Sequence, residues 1–339
     1  TGLGTVQDIA AEVAYVNSSA AELLGKQRAK NGHPEPFDCK FWAVGNEMYG
    51  DWQLGHMPVE QYVEKHKHVA NAMLAVDSTI RLIAVGNMGE WSRTMLTLCA
   101  DHMDLISEHI YCREKQPVAE HVWQMRAAIR ERANAHRQYR REIPGLDDND
   151  IRIALDEWNY WYGDYIYGEL GVRYHLKDAL GIAAGLHEFF RNSEMVYMAN
   201  YAQTVNVIGC IKTSPTDAVF AATGLPLKLY RRQFGSIPVK VTGETPNIDI
   251  AAALTKDGDT LTVALVNVSD AKQSIPFKLQ GFKAANRAEL WKISGDDPEI
   301  YNEPDASSPL TIKRQSVEIN DHFPVPAYGI ALYKLEREP

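Results

Sequence analysis

No apolar run in the 339 residues approaches the roughly 18 that a membrane-spanning helix needs. Basic blocks are missing too. Thirty-five Lys and Arg against forty-four Asp and Glu leave a net charge of −9. A chain of that sign without a basic stripe is poorly suited to a phosphate backbone, which argues against nucleic acid as a partner. Cysteine is scarce: Cys39, Cys99, Cys112 and Cys210 form no CxxC pair and have no His at ligand spacing. That pattern argues against zinc. The four read as small buried hydrophobes, with a lean toward a reducing, cytoplasmic compartment. No internal repeat, low-complexity tract or charged-then-apolar leader is visible, and the chain opens in a TGLGT turn. What is present is an ordinary globular composition, 45% hydrophobic and 23% charged, at a length that suggests two domains.

Up to about residue 235, short apolar runs alternate with helix-like stretches. The runs are Phe41 to Gly45, Ile80 to Gly86, Met103 to Ile106, Ile151 to Leu155 and Met195 to Ala199. Their near-continuous hydrophobicity is that of parallel strands buried on both faces. Between them, Val59 to Val76 places Tyr62, Val63, His66, Val69, Ala70 and Met73 on one helical face. Pro117 to Arg141 and His175 to Asn192 are also periodic. Strand–helix alternation implies βαβ units. From residue 236 to 339 the texture changes to short candidate strands punctuated by turns such as Lys256-Asp257-Gly258-Asp259. That spacing reads as an antiparallel β-sandwich.

Two acids stand at strand ends. Phe41 to Glu47 is an apolar strand closing on Asn46-Glu47, and Ile151 to Asn159 carries Asp156-Glu157, 110 residues later. In a β/α barrel the C-terminal strand ends form the active site. A carboxylate pair there is the equipment for glycoside hydrolysis, with one group donating a proton and the other attacking the sugar carbon. The competing reading is that each acid only caps a helix or pairs with a Lys. Asp156, next to Glu157 on a strand, should turn away from the pocket and serve as a structural ion-pair or hydrogen-bond partner. His109 reads as a hydrogen-bonded residue lining the barrel rather than a catalytic partner.

Trp42 to Gln53 with Gly55-His56 resembles the acid/base segment of family 51 glycoside hydrolases, the α-L-arabinofuranosidases. Asp156 to Tyr162 resembles their nucleophile segment; Asn31 to Pro36, Ser107 to Tyr111 and Ala202 to Ile208 are further similar stretches. The resemblance implies a (β/α)8-type barrel over residues 1–235 and a jelly-roll-like β-sandwich over 236–339. It also implies a retaining mechanism with Glu47 as acid/base and Glu157 as nucleophile. Asn46 would bond a sugar hydroxyl, Tyr111 would hold the nucleophile, Gln203 would contact arabinose, and Trp161 and Trp52 would form an aromatic wall. An ionised Glu157 would raise the pKa of Glu47 and keep it protonated.

The resemblance further implies about three strands before the TGLGT stretch, so the barrel is expected to be N-terminally incomplete in this chain. A homo-oligomer or a partner segment is then expected to complete it. No metal or organic cofactor is called for, since two carboxylates suffice. The implied substrates are arabinose-containing oligo- and polysaccharides, cut from the non-reducing end. The alternatives are an endo-acting glucanase or xylan-active glycosidase, or a non-catalytic sugar-binding subunit.

Overall fold

The computed structural model describes residues 2–338; Thr1, where the TGLGT turn opens, and Pro339 lie outside the described residues. Contacts divide the chain into two units. The first comprises Thr1–His109, Glu131–Asp156 and Glu194–Asn200; the second comprises Ile110–Arg130, Glu157–Ser193 and Tyr201–Pro339.

The elements run α1 (Val6–Asn17), α2 (Leu23–Lys30), β1 (Phe41–Val44), α3 (Val59–Val76), β2 (Arg81–Ala84), α4 (Glu90–Leu98), β3 (Leu105–Cys112), α5 (Val118–Glu142), β4 (Arg152–Tyr160), α6 (Leu176–Arg191) and β5 (Val196–Tyr201). Then come β6 (Ile211–Thr213), β7 (Ala218–Phe220), α7 (Gly224–Gln233), β8 (Ile237–Val239), β9 (Ile248–Leu254), β10 (Thr260–Asn267), β11 (Gln273–Pro276), β12 (Ala284–Ser294), β13 (Lys313–Glu318), β14 (His322–Val325) and β15 (Gly329–Arg337). Among the described residues no helix is long and apolar enough to cross a membrane.

Strands β1 to β5 form one sheet in sequence order, with parallel β1–β2 and β2–β3 ladders. Parallel neighbours need crossovers, which α3 and α4 supply. In the first unit both strand faces are covered. Trp42, Val44 and Leu82 pack with Ile9 and Val13 of α1 and Val69, Ala70 and Met73 of α3. The alternate residues Ala43, Ile83, Leu105, Ala154 and Met198 make a second cluster. This two-sided burial is why the strands read as continuous apolar runs. Helix α3 buries the six residues its periodicity singles out. Helix α1 starts at a capping box, with Thr5 Oγ1 accepting from Asp8 N at 3.2 Å and Thr5 N donating to Asp8 Oδ2 at 3.0 Å. At the strand starts, Arg81 and Arg152 lie 4.6 and 4.7 Å from the Tyr197 ring centroid. They anchor the ends opposite those that carry Glu47, His109 and Asp156.

Strand β3 corrects an expectation, since it runs to Cys112 instead of stopping at Ile106. Its polar residues are paired rather than solvated. Glu108 is 1% exposed and accepts from Ser92 Oγ and Met88 N, both at 2.9 Å, with His136 Nε2 also at 2.9 Å. Ser107 Oγ accepts from Gly86 N at 3.2 Å. Pairing lets a polar stretch continue a buried strand.

In the second unit a six-stranded sheet has the order β13-β12-β15-β10-β9-β8, with antiparallel ladders throughout, and β11 pairs antiparallel with β14. The two sheets share a core of Leu261, Val263, Leu265, Tyr333, Ile275, Phe323 and Val325. Buried Asp249 on β9 accepts from Arg126 at 2.6 Å, Arg191 at 2.9 Å and His187 Nδ1 at 2.7 Å. It ties α5 and α6 to that sheet. The β6–β7 hairpin, α7 and β14 have no counterpart in the sequence-based strand and helix assignments. The first two lie in a Gly- and Pro-punctuated stretch too short to show a period.

Candidate active site

Where β1 ends, the chain turns through Gly45 at φ +100° and Glu47 at φ +46°. The first suits glycine, and the second is left-handed for a residue with a Cβ. A Cβ on Gly50 would lie 2.5 Å from the Trp52 indole, so glycine there lets the ring fold back toward Glu47. The result is a carboxylate surrounded by donors. Trp52 Nε1 reaches Oε2 at 2.8 Å and Gln53 Nε2 reaches the same oxygen at 3.1 Å. His109 Nδ1 stands 2.8 Å from Oε1, and Tyr49 Oη donates to it at 3.4 Å. These bonds, the His109 bond foremost, outweigh burial and hold the Glu47 pKa down at about 2. This overturns the expected upward shift. Four groups directed at the ionised form favour it over the acid.

His109 does more than line the sheet. Its Nδ1 takes Glu47 and its Nε2 lies 3.2 Å from Asp156 Oδ1, a charge contact outside hydrogen-bond geometry. Asp156 is the ion-pair partner the sequence suggests, but it does not turn its back on Glu47: one imidazole separates them. Asn46 is exposed and lines a cavity of about 480 Å³ shared with Gln53, Asp8 and Glu12. Trp52 leaves its ring 66% exposed while its N–H is spent on Glu47. It is therefore a donor to the acid as well as a free aromatic face.

In the second unit, Tyr111 Oη donates to Glu157 Oε2 at 2.6 Å. The short O–H···O⁻ distance is that of a charge-assisted bond. Trp161 packs edge-to-face on Tyr111, with ring centroids 5.3 Å apart, and its backbone N–H donates to Cys112 O at 2.9 Å. Arg113 donates to the Trp161 carbonyl at 2.7 Å. Asn159 is fully buried, and its Nδ2 donates to Ala202 O at 2.6 Å and Ile208 O at 2.7 Å. It thereby fixes the loop that presents Gln203, whose side chain is exposed.

Tyr111, Glu157 and Trp161 thus come together in one unit, and Asn46, Glu47 and Trp52 in the other. Sequence reasoning gave no role to Gln53 or Tyr49, and it read His109 as structural. One signal was available: His109 and Tyr111 are two apart on a strand and so share a face.

The chain matches two family profiles. Residues 3–141 match one described as Alpha-L-arabinofuranosidase 1 domain, and residues 156–328 match one described as Alpha-L-arabinofuranosidase C-terminal domain. It is 30% identical, over 89% of its length, to a probable alpha-L-arabinofuranosidase C of Aspergillus terreus, and covers 66% of that protein. It is 29% identical, over 84% of its length, to an exo-alpha-(1->6)-L-arabinofuranosidase of Bifidobacterium longum, and covers 62% of it. The chain therefore spans about two thirds or slightly less of the length of these curated relatives. Among solved structures, the arabinose complex of an alpha-L-arabinofuranosidase from Thermotoga maritima is similar over 99% of this chain and 74% of that one, with 28% identity and a TM-score of 0.92.

Proposed function

The chain belongs to the α-L-arabinofuranosidase family, and on that premise we propose that it is a retaining, exo-acting glycoside hydrolase releasing terminal α-L-arabinofuranosyl residues from arabinan, arabinoxylan or arabino-oligosaccharides. The observation that carries this reading is the spacing on β3. His109 holds Glu47 and Tyr111, two residues on, holds Glu157. Each unit thus holds one prepared carboxylate.

In the first step Glu157 attacks the anomeric carbon while the bond to the leaving oxygen breaks and that oxygen takes a proton from Glu47. In the second, Glu47 takes a proton from water, which attacks the same carbon and frees Glu157. The Tyr111 hydroxyl, donating to Glu157 Oε2 at 2.6 Å, keeps that carboxylate aimed. Because Glu47 rests as a carboxylate, its proton must be supplied within the site. His109 Nδ1, 2.8 Å from Glu47 Oε1, is the group placed to exchange that proton with it. Substrate binding excludes water from Glu47, which favours its neutral form. Asn46 bonds the hydroxyl next to the anomeric carbon. Gln203 bonds the ring's far side, and Trp161 and Trp52 offer apolar faces to the sugar.

The five-stranded sheet is read as part of a (β/α)8-type barrel. Residues 236–339 are read as a jelly-roll-like sandwich domain. Within the sheet order β1 and β5 stand at the edges, which supports completion by a further segment or a second copy of the chain, because open edges of buried strands recruit strands. The test of the activity is a panel of aryl glycosides. Turnover confined to the α-L-arabinofuranoside supports the reading, and preference for a β-glucoside or β-xyloside contradicts it.

A further inference from the structure

The second unit contains a cavity of about 420 Å³ that the hydrolytic reading does not use. Its size falls within the roughly 300–1,000 Å³ of small-ligand sites. Phe220 and Trp291 supply aromatic wall, and Leu229 and Leu310 supply aliphatic wall. Lys228 and Arg232 also line it. They stand four apart on α7, so one helical face carries both cations. Neither forms an ion pair among the described residues, on a chain with nine more acids than bases. Lys228 Nζ instead lies 4.8 Å from the Phe220 ring centroid. Arg314 also reaches the Trp291 ring, at 5.1 Å, but its charge is met by Glu289. The Trp291 Nε1–H is buried with no acceptor among the described residues.

An apolar slot with two uncompensated cations selects for charge and shape together. A neutral sugar would leave the cations unmatched and face aliphatic side chains with its hydroxyls. A bare inorganic anion would leave the aromatic walls unused. A flat ring bearing one carboxylate satisfies both, since Arg pairs with carboxylates in a planar, two-pronged geometry and rings stack on Phe and Trp. We propose that this cavity binds an aromatic monocarboxylate, its ring against Phe220 and Trp291 and its carboxylate between Lys228 and Arg232. The inference stands on the second unit alone and is independent of the hydrolytic reading.

Titration calorimetry of the whole chain with p-coumarate tests it, with methyl p-coumarate and D-glucuronate as controls. The ester keeps the ring without the charge, and glucuronate keeps the charge on a polar ring. The expected result is saturable one-to-one binding of p-coumarate, at least tenfold weaker for both controls. The Lys228→Glu/Arg232→Glu variant should weaken p-coumarate at least tenfold, and Trp291→Leu should weaken it too. Should the charge-reversed variant fail to fold, Lys228→Gln/Arg232→Gln is read in its place. Absence of binding at millimolar p-coumarate overturns the proposal. So does equal binding of the ester, or unchanged affinity when both cations are removed.

Discussion

The imidazole Nδ1 of His109 stands 2.8 Å from Oε1 of Glu47, while Nε2 of the same ring faces Asp156 at 3.2 Å. The first contact is a hydrogen bond and the second a contact outside hydrogen-bond geometry, so Glu47 is the carboxylate the ring serves directly. The arrangement lets the site keep a proton beside Glu47 even though Glu47 itself is held ionised.

Removing that ring should release Glu47. His109 is the largest cause of its lowered pKa, so His109→Ala should raise the value from about 2 toward the ordinary 4.5. A carboxyl whose folded pKa is depressed adds stability that is present above its unfolded pKa and lost as pH falls through the folded one. The wild type should therefore lose this contribution between about pH 4.5 and 2, and His109→Ala should show little of that loss. Carbon NMR titration of labelled Glu side chains, with urea melts across the same pH range, measures both. A Glu47 pKa unmoved in His109→Ala would contradict the assignment.

Tyr111→Phe deletes the hydroxyl on Glu157 and little else, because the ring still packs on Trp161. Hydrogen bonds to charged groups are worth about 1.5–3 kcal/mol, so kcat/KM should fall roughly ten- to a hundredfold. The melting temperature should hold. A loss of activity that tracks a loss of fold would make Tyr111 structural only.

Much of this was legible in the sequence, for identifiable reasons. The apolar strands β2 and β4 announce themselves because residues on both faces are buried, β1 and β5 through their apolar runs alone, and α3 because six core residues fall at helical spacing. Glu47 and Glu157 stand out as acids that follow apolar runs, although β4 continues past Glu157 to Tyr160. The second half of β3 was hidden, since Ser107, Glu108 and His109 look solvent-facing until Gly86, Ser92 and His136 are placed beside them. The state of Glu47 was misjudged for the same reason. A neighbour 62 positions away sets it, and one sequence does not disclose that contact.

Asp249→Ala should be among the most destabilising single changes in the second unit. It would leave the Arg126 and Arg191 guanidiniums and buried His187 without their shared carboxylate. Breaking a buried charge network from one side costs about 3–5 kcal/mol. Chemical denaturation should show a lower midpoint with an unchanged slope. A midpoint equal to wild type would contradict the role.

Glu47→Ala should discriminate between leaving groups. Substrates whose leaving oxygen needs a proton should lose most of their turnover, while activated aryl arabinofuranosides, which leave unaided, should lose far less in the first step. Equal losses on both would reduce Glu47 to positioning.

The retaining mechanism requires a covalent sugar on Glu157. Glu47→Ala, mixed with an activated aryl α-L-arabinofuranoside, should accumulate that species, because departure is easy and the base for the second step is gone. Rapid acid quench, intact-mass measurement and peptide mapping read it directly. The expected result is one pentosyl group on the peptide containing Glu157, absent in Glu47→Ala/Glu157→Gln. A pentosyl group mapped to another residue, or turnover with inverted product and no adduct, would contradict the account.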